Sequence, residues 1–124
     1  MRRRAFLLVA ALAALATTAA ACLSPTLPLP PPEPQSVASV SGGQWQISGN
    51  CIPGAEVIVL DVKSGVGVVV EDLQHTGVFS VKLTGSACDP VSITQDSGGA
   101  DSAEASVLLQ PYQNGFPVDP SACN

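Results

Sequence analysis

The sequence predicts an all-β protein whose folded part is a sandwich of six or seven short antiparallel strands, following a signal peptide and a proline-rich linker. Past residue 36, apolar and polar residues alternate in short runs, as they do along half-buried strands. Glycines mark the breaks between these runs, and no run has the period of an amphipathic helix. Val, Gly, Ser and Ala dominate the second half of the chain, and this composition favours strands and tight turns over helices.

Successive residues of a strand face opposite sides of the sheet, so alternation of apolar and polar residues predicts where each strand lies and which face it buries. Trp45 and Ile47 share one face of the first run, and residues 57–62 are apolar on nearly both faces, as in a central strand. Turns are predicted at residues 63–65 and 73–76, with a strand at residues 66–71 between them. The other inward-facing residues are Phe79, Val81 and Leu83, then Val91 and Ile93, then Ala103, Ala105, Val107 and Leu109, with Ser80, Lys82, Ser92, Thr94, Glu104, Ser106 and Gln110 facing outward.

Residues 1–21 have the organisation of a secretory signal peptide. Three arginines, Arg2, Arg3 and Arg4, precede an unbroken apolar run of 12 residues, and small residues lead up to Cys22. The alternative is a transmembrane anchor. A spanning helix needs about 20 apolar residues, and this run gives way to threonine and proline too early. We therefore expect the protein to be exported.

Cys22 is predicted to carry a membrane anchor. Residues 19–22, Ala-Ala-Ala-Cys, resemble the lipobox of bacterial lipoproteins, in which small residues precede a cysteine that becomes the first residue after cleavage. Ala19 departs from that pattern, where leucine is commoner, and the same alanines would suit an ordinary signal peptidase and plain secretion. A lipidated cysteine has a clear role at the head of a tether. The resemblance implies a diacylglycerol on the Cys22 sulfur and an acyl chain on its amine, and several chains together anchor stably.

The sequence from Cys22 onward indicates the membrane in which the protein lies and the classes of partner that it can bind. Leu23 stands where many Gram-negative lipoproteins that stay in the inner membrane have an aspartate, which favours the outer membrane within the cell envelope. A chain cleaved before Cys22 keeps two lysines against ten acids, a net charge of −8. Nucleic-acid binding needs a basic patch and is therefore excluded. Electrostatic docking on anionic lipid is disfavoured for the same reason, so membrane attachment must be hydrophobic or covalent.

Residues 22–35 are predicted to be a tether. Six of the eleven prolines of the chain lie here, and proline both fixes φ and lacks the amide donor that helices and sheets require. We expect an extended polyproline II stalk that holds the domain away from a surface and forms no helix or sheet. The alternative, a ligand for an SH3-like domain, does not suit bacterial export.

Three segments of the domain resemble bacterial Ig-like domains. Residues 49–59, Gly-Asn-Cys-Ile-Pro-Gly-Ala-Glu-Val-Ile-Val, match their opening hairpin, and residues 77–81, Gly-Val-Phe-Ser-Val, match a later strand. Residues 96–102 are similar to their late Asp-x-x-Gly-Asn-x-Ser turn, with Ala100 where asparagine is usual. The hairpin is also similar to that of carboxypeptidase-regulatory-like domains, a related sandwich. The resemblance implies an Ig-like β-sandwich, a fold that hosts many functions.

Three cysteines remain if Cys22 is lipidated, and one disulfide is expected because an exported protein meets oxidising conditions. Cys51, Cys88 and Cys123 allow three pairings. An up-and-down arrangement places the Cys88 loop and the end of the last strand at the same end of the sandwich, which favours Cys88–Cys123. The pairings of Cys51 with Cys88 and with Cys123 stay open. The spacing of these cysteines does not fit a zinc motif.

No catalytic group can be assembled from the sequence. His75, the one histidine, lies in a predicted turn with no nucleophile and orienting acid beside it, and no Gly-x-Ser-x-Gly motif exists. The chain is therefore expected not to be an enzyme, and no cofactor is expected. Asp72, Asp96 and Asp101 lie in loops at one end of the sandwich, and these three carboxylates are the candidates for a calcium site. Acidic loops without an ion are the alternative interpretation.

The predicted organisation is a signal peptide at residues 1–21, a lipidated cysteine and tether at 22–35, the sandwich at 36–110 and an irregular tail at 111–124. The expected function is a lipid-anchored envelope module that displays a non-catalytic Ig-like domain for structural or protein-binding roles, with an envelope protein or a glycan as its partner. The alternative is a carbohydrate- or calcium-binding module. A sugar platform would require the aromatic side chains of Trp45, Tyr112 and Phe116 to form one exposed patch, whereas a buried Trp45 would belong to the core.

Overall fold

A computed structural model describes residues 27–124, and this part of the chain is all-β, with no helix. The signal peptide, Cys22 and the first residues of the tether lie outside the described residues. Six strands of five to eight residues form most of the fold, and four short strands complete it. The strands are β1 (Glu33–Ser39), β2 (Gln44–Asn50), β3 (Glu56–Asp61), β4 (Gly67–Glu71), β5 (Val78–Thr84), β6 (Pro90–Ser97), β7 (Ala100–Asp101), β8 (Ala105–Leu108), β9 (Tyr112–Gln113) and β10 (Phe116–Pro117).

The strands form two antiparallel sheets packed face to face. The first sheet has the order β10-β9-β1-β2-β5, and the second has the order β4-β3-β6-β7, with β8 also paired to β6. The chain crosses from one sheet to the other four times: between β2 and β3, between β4 and β5, between β5 and β6, and between β8 and β9. Such crossings are typical of Greek-key sandwiches. The structure is consistent with the predicted Ig-like β-sandwich, so the predicted fold class is confirmed.

The core lies between the sheets and is built from alternate residues of the long strands. The predicted inward residues of β2, β3, β5 and β6 are buried. They form one cluster together with Val37 of β1 and with Val107 and Leu109 from the end of β8. Two predictions for the last strand are wrong: Ala103 is exposed, and Gln110, expected to face outward, is buried. Since β8 spans only Ala105–Leu108, strand alternation does not extend to either residue.

Trp45 belongs to the core. Its side chain is 7% exposed, and its indole Nε1–H donates a hydrogen bond of 3.2 Å to the carbonyl of Gly85. A buried indole needs such an acceptor, because an unsatisfied donor away from water is costly. The prediction that Trp45 has a core role is confirmed, and the alternative of an exposed contact residue is wrong.

The proline-rich segment belongs partly to the sandwich. Strand β1 begins at Glu33 and includes Pro34, and the side chain of Pro32 is buried. Proline fits here because the ladder between β1 and β2 shifts register between Pro34 and Ser36, and a bulge of this kind does not need the missing N–H. The prediction that no strand forms before residue 36 is therefore wrong, and the domain starts earlier than expected.

The tail after residue 110 is also more regular than predicted. Strands β9 and β10 pair with each other, and β9 pairs with β1 through Tyr112 and Val37. The tail thereby covers the β1 edge of the first sheet. An uncovered edge exposes unpaired backbone groups, so this cover reduces the risk of unwanted strand pairing.

We expect Gly49→Ala to destabilise the domain by about 1–3 kcal/mol, the usual cost of forcing a group into a packed site. A Cβ on Gly49 would collide with the Glu33 carbonyl oxygen and lie 2.8 Å from Cα of Pro34. These are backbone atoms and cannot rotate away. Chemical denaturation monitored by Trp45 fluorescence measures the change. Gly67→Ala is the control, since its Cβ would meet only Leu60 Cδ1 at 3.3 Å and Val59 O at 3.4 Å. Equal stability of the Gly49 variant and wild type would contradict the observed β1–β2 contact.

Candidate functional site

The lower end of the sandwich is formed by residues 51–55, 72–77 and 97–99, and the Asp72 carboxylate joins the first two of these segments. Its Oδ2 accepts hydrogen bonds from the N–H groups of Gly77 and Gly54, at 2.7 and 3.1 Å. Its Oδ1 accepts two more from Thr76, from the N–H at 3.0 Å and the hydroxyl at 2.9 Å. The Gly77 bond, with those from Thr76 and Gly54, lowers the pKa of Asp72 to about 2 despite its burial. Asp72 is therefore a structural carboxylate that joins two turns.

The predicted calcium ligands are not assembled. Asp96 and Asp101 lie opposite each other on β6 and β7, and the Asp72 oxygens are occupied by backbone and hydroxyl donors. Within residues 27–124, no group of three or more His, Cys, Asp or Glu side chains is placed to hold a metal ion. His75 lies in the expected turn, where it is exposed and has a positive φ of 54°.

Cys51 is the free cysteine among the described residues, and it is half-buried at the lower end. Burial, followed by the negative charge of Asp72, raises the pKa of its thiol, so the reactive thiolate is disfavoured. Cys51 borders a hollow of about 310 Å³ between the proline segment and the β2–β3 loop. Gln95 lines this hollow: its side-chain oxygen accepts a hydrogen bond from Ile52 N–H at 2.8 Å, and its side-chain nitrogen donates one to the Pro30 carbonyl at 2.7 Å.

The upper end of the sandwich holds a second group of acids at Asp61 and Asp89. The Asp61 carboxylate accepts hydrogen bonds from both N–H and hydroxyl of Ser64 and from Lys63 N–H. Burial alone would raise the Asp61 pKa, but these hydrogen bonds outweigh burial and lower it. Asp89 accepts from Ser86 N–H and pairs with Lys63 Nζ at 3.0 Å. Both acids thus stabilise turns.

The disulfide joins Cys88 and Cys123, as the placement of loops and strand ends favoured. Their Cα atoms are 5.4 Å apart, within the range that a disulfide spans. The bond ties the C-terminal tail to the loop between β5 and β6 at the upper end. The open alternatives involving Cys51 do not occur.

The three aromatic residues proposed as a sugar platform do not form one exposed patch. Trp45 is in the core, and Tyr112 is half-buried against the same cluster. Phe116 is 74% exposed on β10. A stacking surface for a sugar ring would need more than one such face, so this arrangement gives the carbohydrate alternative no platform.

The outer face of the second sheet exposes aliphatic side chains that no other element within residues 27–124 covers. Leu60 and Val69 are 38% and 58% exposed, and Val62 and Val66 lie in the adjoining turn, also exposed. Half-buried Ile58 pairs directly with Val69 across β3 and β4. Exposed residues of this kind are ordinary when scattered, but a contiguous group marks a candidate interaction surface. We call these five residues the aliphatic patch.

Strand β4 borders the aliphatic patch and lies at the edge of its sheet. Among the strands of the described residues it pairs with β3 alone, so none of them lies along the other side of its backbone. Asp61 N–H donates a hydrogen bond to the Val66 carbonyl, and in an antiparallel ladder every second residue bonds to the partner strand. The backbone N–H and carbonyl groups of Val68 and Val70 therefore point toward β3. The backbone N–H and carbonyl of Val69 therefore point away from the sheet. An edge with free backbone groups is a site where another strand can add.

Sequence reasoning identified β4 as a strand but missed its position at an edge and its exposed face. The sequence predicts burial on nearly both faces for residues 57–62 because five of these six residues are apolar, yet Leu60 and Val62 are exposed. Alternation assigns a residue to a face but does not show which strands are neighbours. The signal available was the unusual run of aliphatic residues at outward positions.

We expect the stability that Asp72 provides to depend on pH. Because its folded pKa, about 2, is below the usual 3.8, its contribution is complete only well above pH 3.8 and is lost as the pH falls through about 2. Asp72→Asn keeps the size but replaces an acceptor with a donor, so it should be less stable at neutral pH. Thermal melts from pH 7 to pH 2 should show the difference between wild type and variant shrinking below pH 4. A difference that stays constant would contradict this role.

We expect the double substitution Cys88→Ser and Cys123→Ser to lower the free energy of unfolding by about 2–4 kcal/mol, because the disulfide closes a long loop. Denaturation of the oxidised and double-variant proteins measures the loss. Cys51→Ser is the control and should leave this contribution intact, since Cys51 is unpaired. If reduction with dithiothreitol leaves wild type as stable as before, the disulfide has no such role.

No known protein family, curated protein or solved structure matches this chain. Within residues 27–124, no helix has the length and apolar character needed to cross a membrane. The observed architecture identifies the fold, and one fold hosts many functions. A function must therefore be argued from the residues of this chain and from the surfaces described above.

Proposed function

We propose that the protein is a lipid-anchored module of the bacterial cell envelope that displays a non-catalytic Ig-like domain for binding another protein. Cys22 carries the anchor, the residues after it connect the anchor to the domain, and the second sheet presents the binding surface. The observation that carries the binding role is the aliphatic patch beside the free edge of β4. Soluble domains usually cover such a surface or break it with charges.

The polar residues of the domain support a role without catalysis. The buried carboxylates of Asp61, Asp72 and Asp89 each accept hydrogen bonds from nearby turns, so they have structural partners. His75 is exposed in a turn, and Ser80 accepts a hydrogen bond from Gln46 on the outside of the first sheet. A nucleophile with a base and an orienting acid would need to converge at one place. Each of these groups serves its own turn or strand.

The anchor is supported by the Ala-Ala-Ala-Cys segment at residues 19–22 and by the order of the chain around it. A basic start and a short apolar run precede the cysteine, and a proline-rich segment follows it. The acidic charge of the mature chain opposes electrostatic membrane binding, which leaves hydrophobic or covalent attachment, and the Ala-Ala-Ala-Cys segment favours a covalent lipid.

Expression of the full chain in a bacterial host tests the anchor. We expect the protein to fractionate with membranes, to need detergent for release, and to show added acyl mass on Cys22 in intact-mass and peptide mass spectrometry. Cys22→Ser should move the protein to the soluble fraction and remove that mass.

Cys51→Ser is the matched control, because it removes a cysteine that is neither in the lipobox nor in the disulfide. It should stay in the membrane fraction. A wild-type protein that is cleaved after Ala21 but carries an unmodified Cys22 would contradict the anchor and favour secretion.

A further inference from the structure

Four acidic side chains lie side by side across the second sheet, next to the aliphatic patch. Glu71 of β4 pairs with Glu56 of β3, Glu56 pairs with Asp96 of β6, and Asp96 pairs with Asp101 of β7. Each is at an outward position of its strand. Directly opposed residues have Cβ atoms about 5 Å apart, so these carboxylates form a continuous row. We call them the acidic row.

The acidic row is not neutralised within the domain. Among the described residues, the one ion pair is Lys63–Asp89, which lies at the upper end of the sandwich. The other lysine, Lys82, is on β5 in the first sheet. Like charges directly opposite each other weaken strand pairing, and Glu56 has an acid on both sides. The row therefore costs stability in the isolated domain, and a cationic partner would relieve that repulsion.

We propose that the free edge of β4 binds an extended segment of a partner protein in which a lysine or arginine stands two residues from an aliphatic residue. A strand added to β4 places alternate side chains on the outer face, beside those of Glu71 and Val69. A cation beside Glu71 extends the acidic row with the opposite charge. An aliphatic residue beside Val69 continues the aliphatic patch. This inference rests on the proposed function and names the partner's chemistry.

The inward-facing side chains of the added strand would also have a binding surface. A groove of about 300 Å³ lies between β4 and the facing edge strand β5, lined in part by Val70, Val78 and Phe79. Val78 is 55% exposed there, so the groove has an apolar wall open to solvent. The residue between the cation and the outer aliphatic residue would point toward this groove and fill it.

A second copy of the chain fits this edge less well. Antiparallel pairing of two β4 strands centred on Val69 would place Glu71 opposite Gly67, which supplies no cation for the acidic row. It would also bring together two mature chains of net charge −8. Charge complementarity therefore selects a cationic partner over self-association.

Nuclear magnetic resonance titration of the full chain in detergent micelles tests the proposal with a defined probe, the peptide acetyl-Lys-Ile-Val-Thr-Thr-amide. We expect amide shifts in Gly67–Glu71, with binding about three- to tenfold tighter than for the matched peptide that starts with glutamate. Glu71→Gln should weaken binding about two- to fivefold, the size expected for one exposed charge pair. This variant removes a like-charge contact and should melt no lower than wild type, so weaker binding would not reflect unfolding.

The backbone contact is tested at Val69. Val69→Pro removes the outward N–H while leaving the ladder to β3 intact, since proline is tolerated at such edge positions. It should abolish the shifts, whereas Val69→Thr keeps both the N–H and the branched shape and should bind within about threefold of wild type. Equal binding of the two peptides, shifts confined to other strands, or unchanged binding by Val69→Pro would each overturn the proposal. A dimer of wild type that Val69→Pro converts to monomer would also overturn it, in favour of self-association.

Failure of this proposal can be told apart from failure of the proposed anchor. The titration reports on β4 whether or not Cys22 is acylated, and the acyl mass is measured separately. Acylation of Cys22 without peptide binding would contradict the proposed binding at β4 and support the proposed anchor. Peptide binding without acylation of Cys22 would support the proposed binding at β4 and indicate a secreted protein.

Discussion

The fold depends on the way Asp72 ties the end of β4 to the turn that precedes β3. The chain leaves the second sheet at this point and enters the first, so the two sheets are joined through the loop that Asp72 organises. Four donors converge on one carboxylate, which is why it remains charged far into acid. The same anchor fixes where β4 stops, and hence where its free edge and Glu71 lie.

Gln95 plays the corresponding role for the proline segment. Strand alternation places it inside the sandwich after Val91 and Ile93, where an amide is tolerated only if both of its ends are satisfied. Its oxygen accepts from the β2–β3 loop and its nitrogen donates to Pro30, so one side chain connects β6 to two other segments. Prolines lack the backbone N–H donor, which is why the tether was predicted to form no sheet. Their carbonyl groups still accept hydrogen bonds, and the Pro30 carbonyl does so from Gln95.

The sequence predicted the fold class, most of the buried faces and the favoured disulfide, Cys88–Cys123. The buried faces depend on local alternation. The disulfide depends on the direction of successive strands, because that direction sets the end of the sandwich at which the Cys88 loop and the end of the last strand lie, whichever sheet each strand belongs to. The acidic row and the β4 edge could not be predicted. They depend on which strands are neighbours and in what register, and Glu56 meets Glu71 and Asp96 only through those long-range pairings. The start of the domain was missed because proline within a bulged strand leaves no periodic signal.

The docking of the proline segment sets how far the domain can stand from a membrane. Leu29 bridges to Ser102 at the lower end, and only six residues lie between Cys22 and Leu29. Fully extended, they reach about 25 Å at most. A lipid on Cys22 would therefore keep the acidic end of β4 close to the bilayer and the disulfide-linked end remote from it. Any protein that recognises this edge would have to present its segment within that narrow layer, in the manner of a neighbour embedded in or resting on the same membrane.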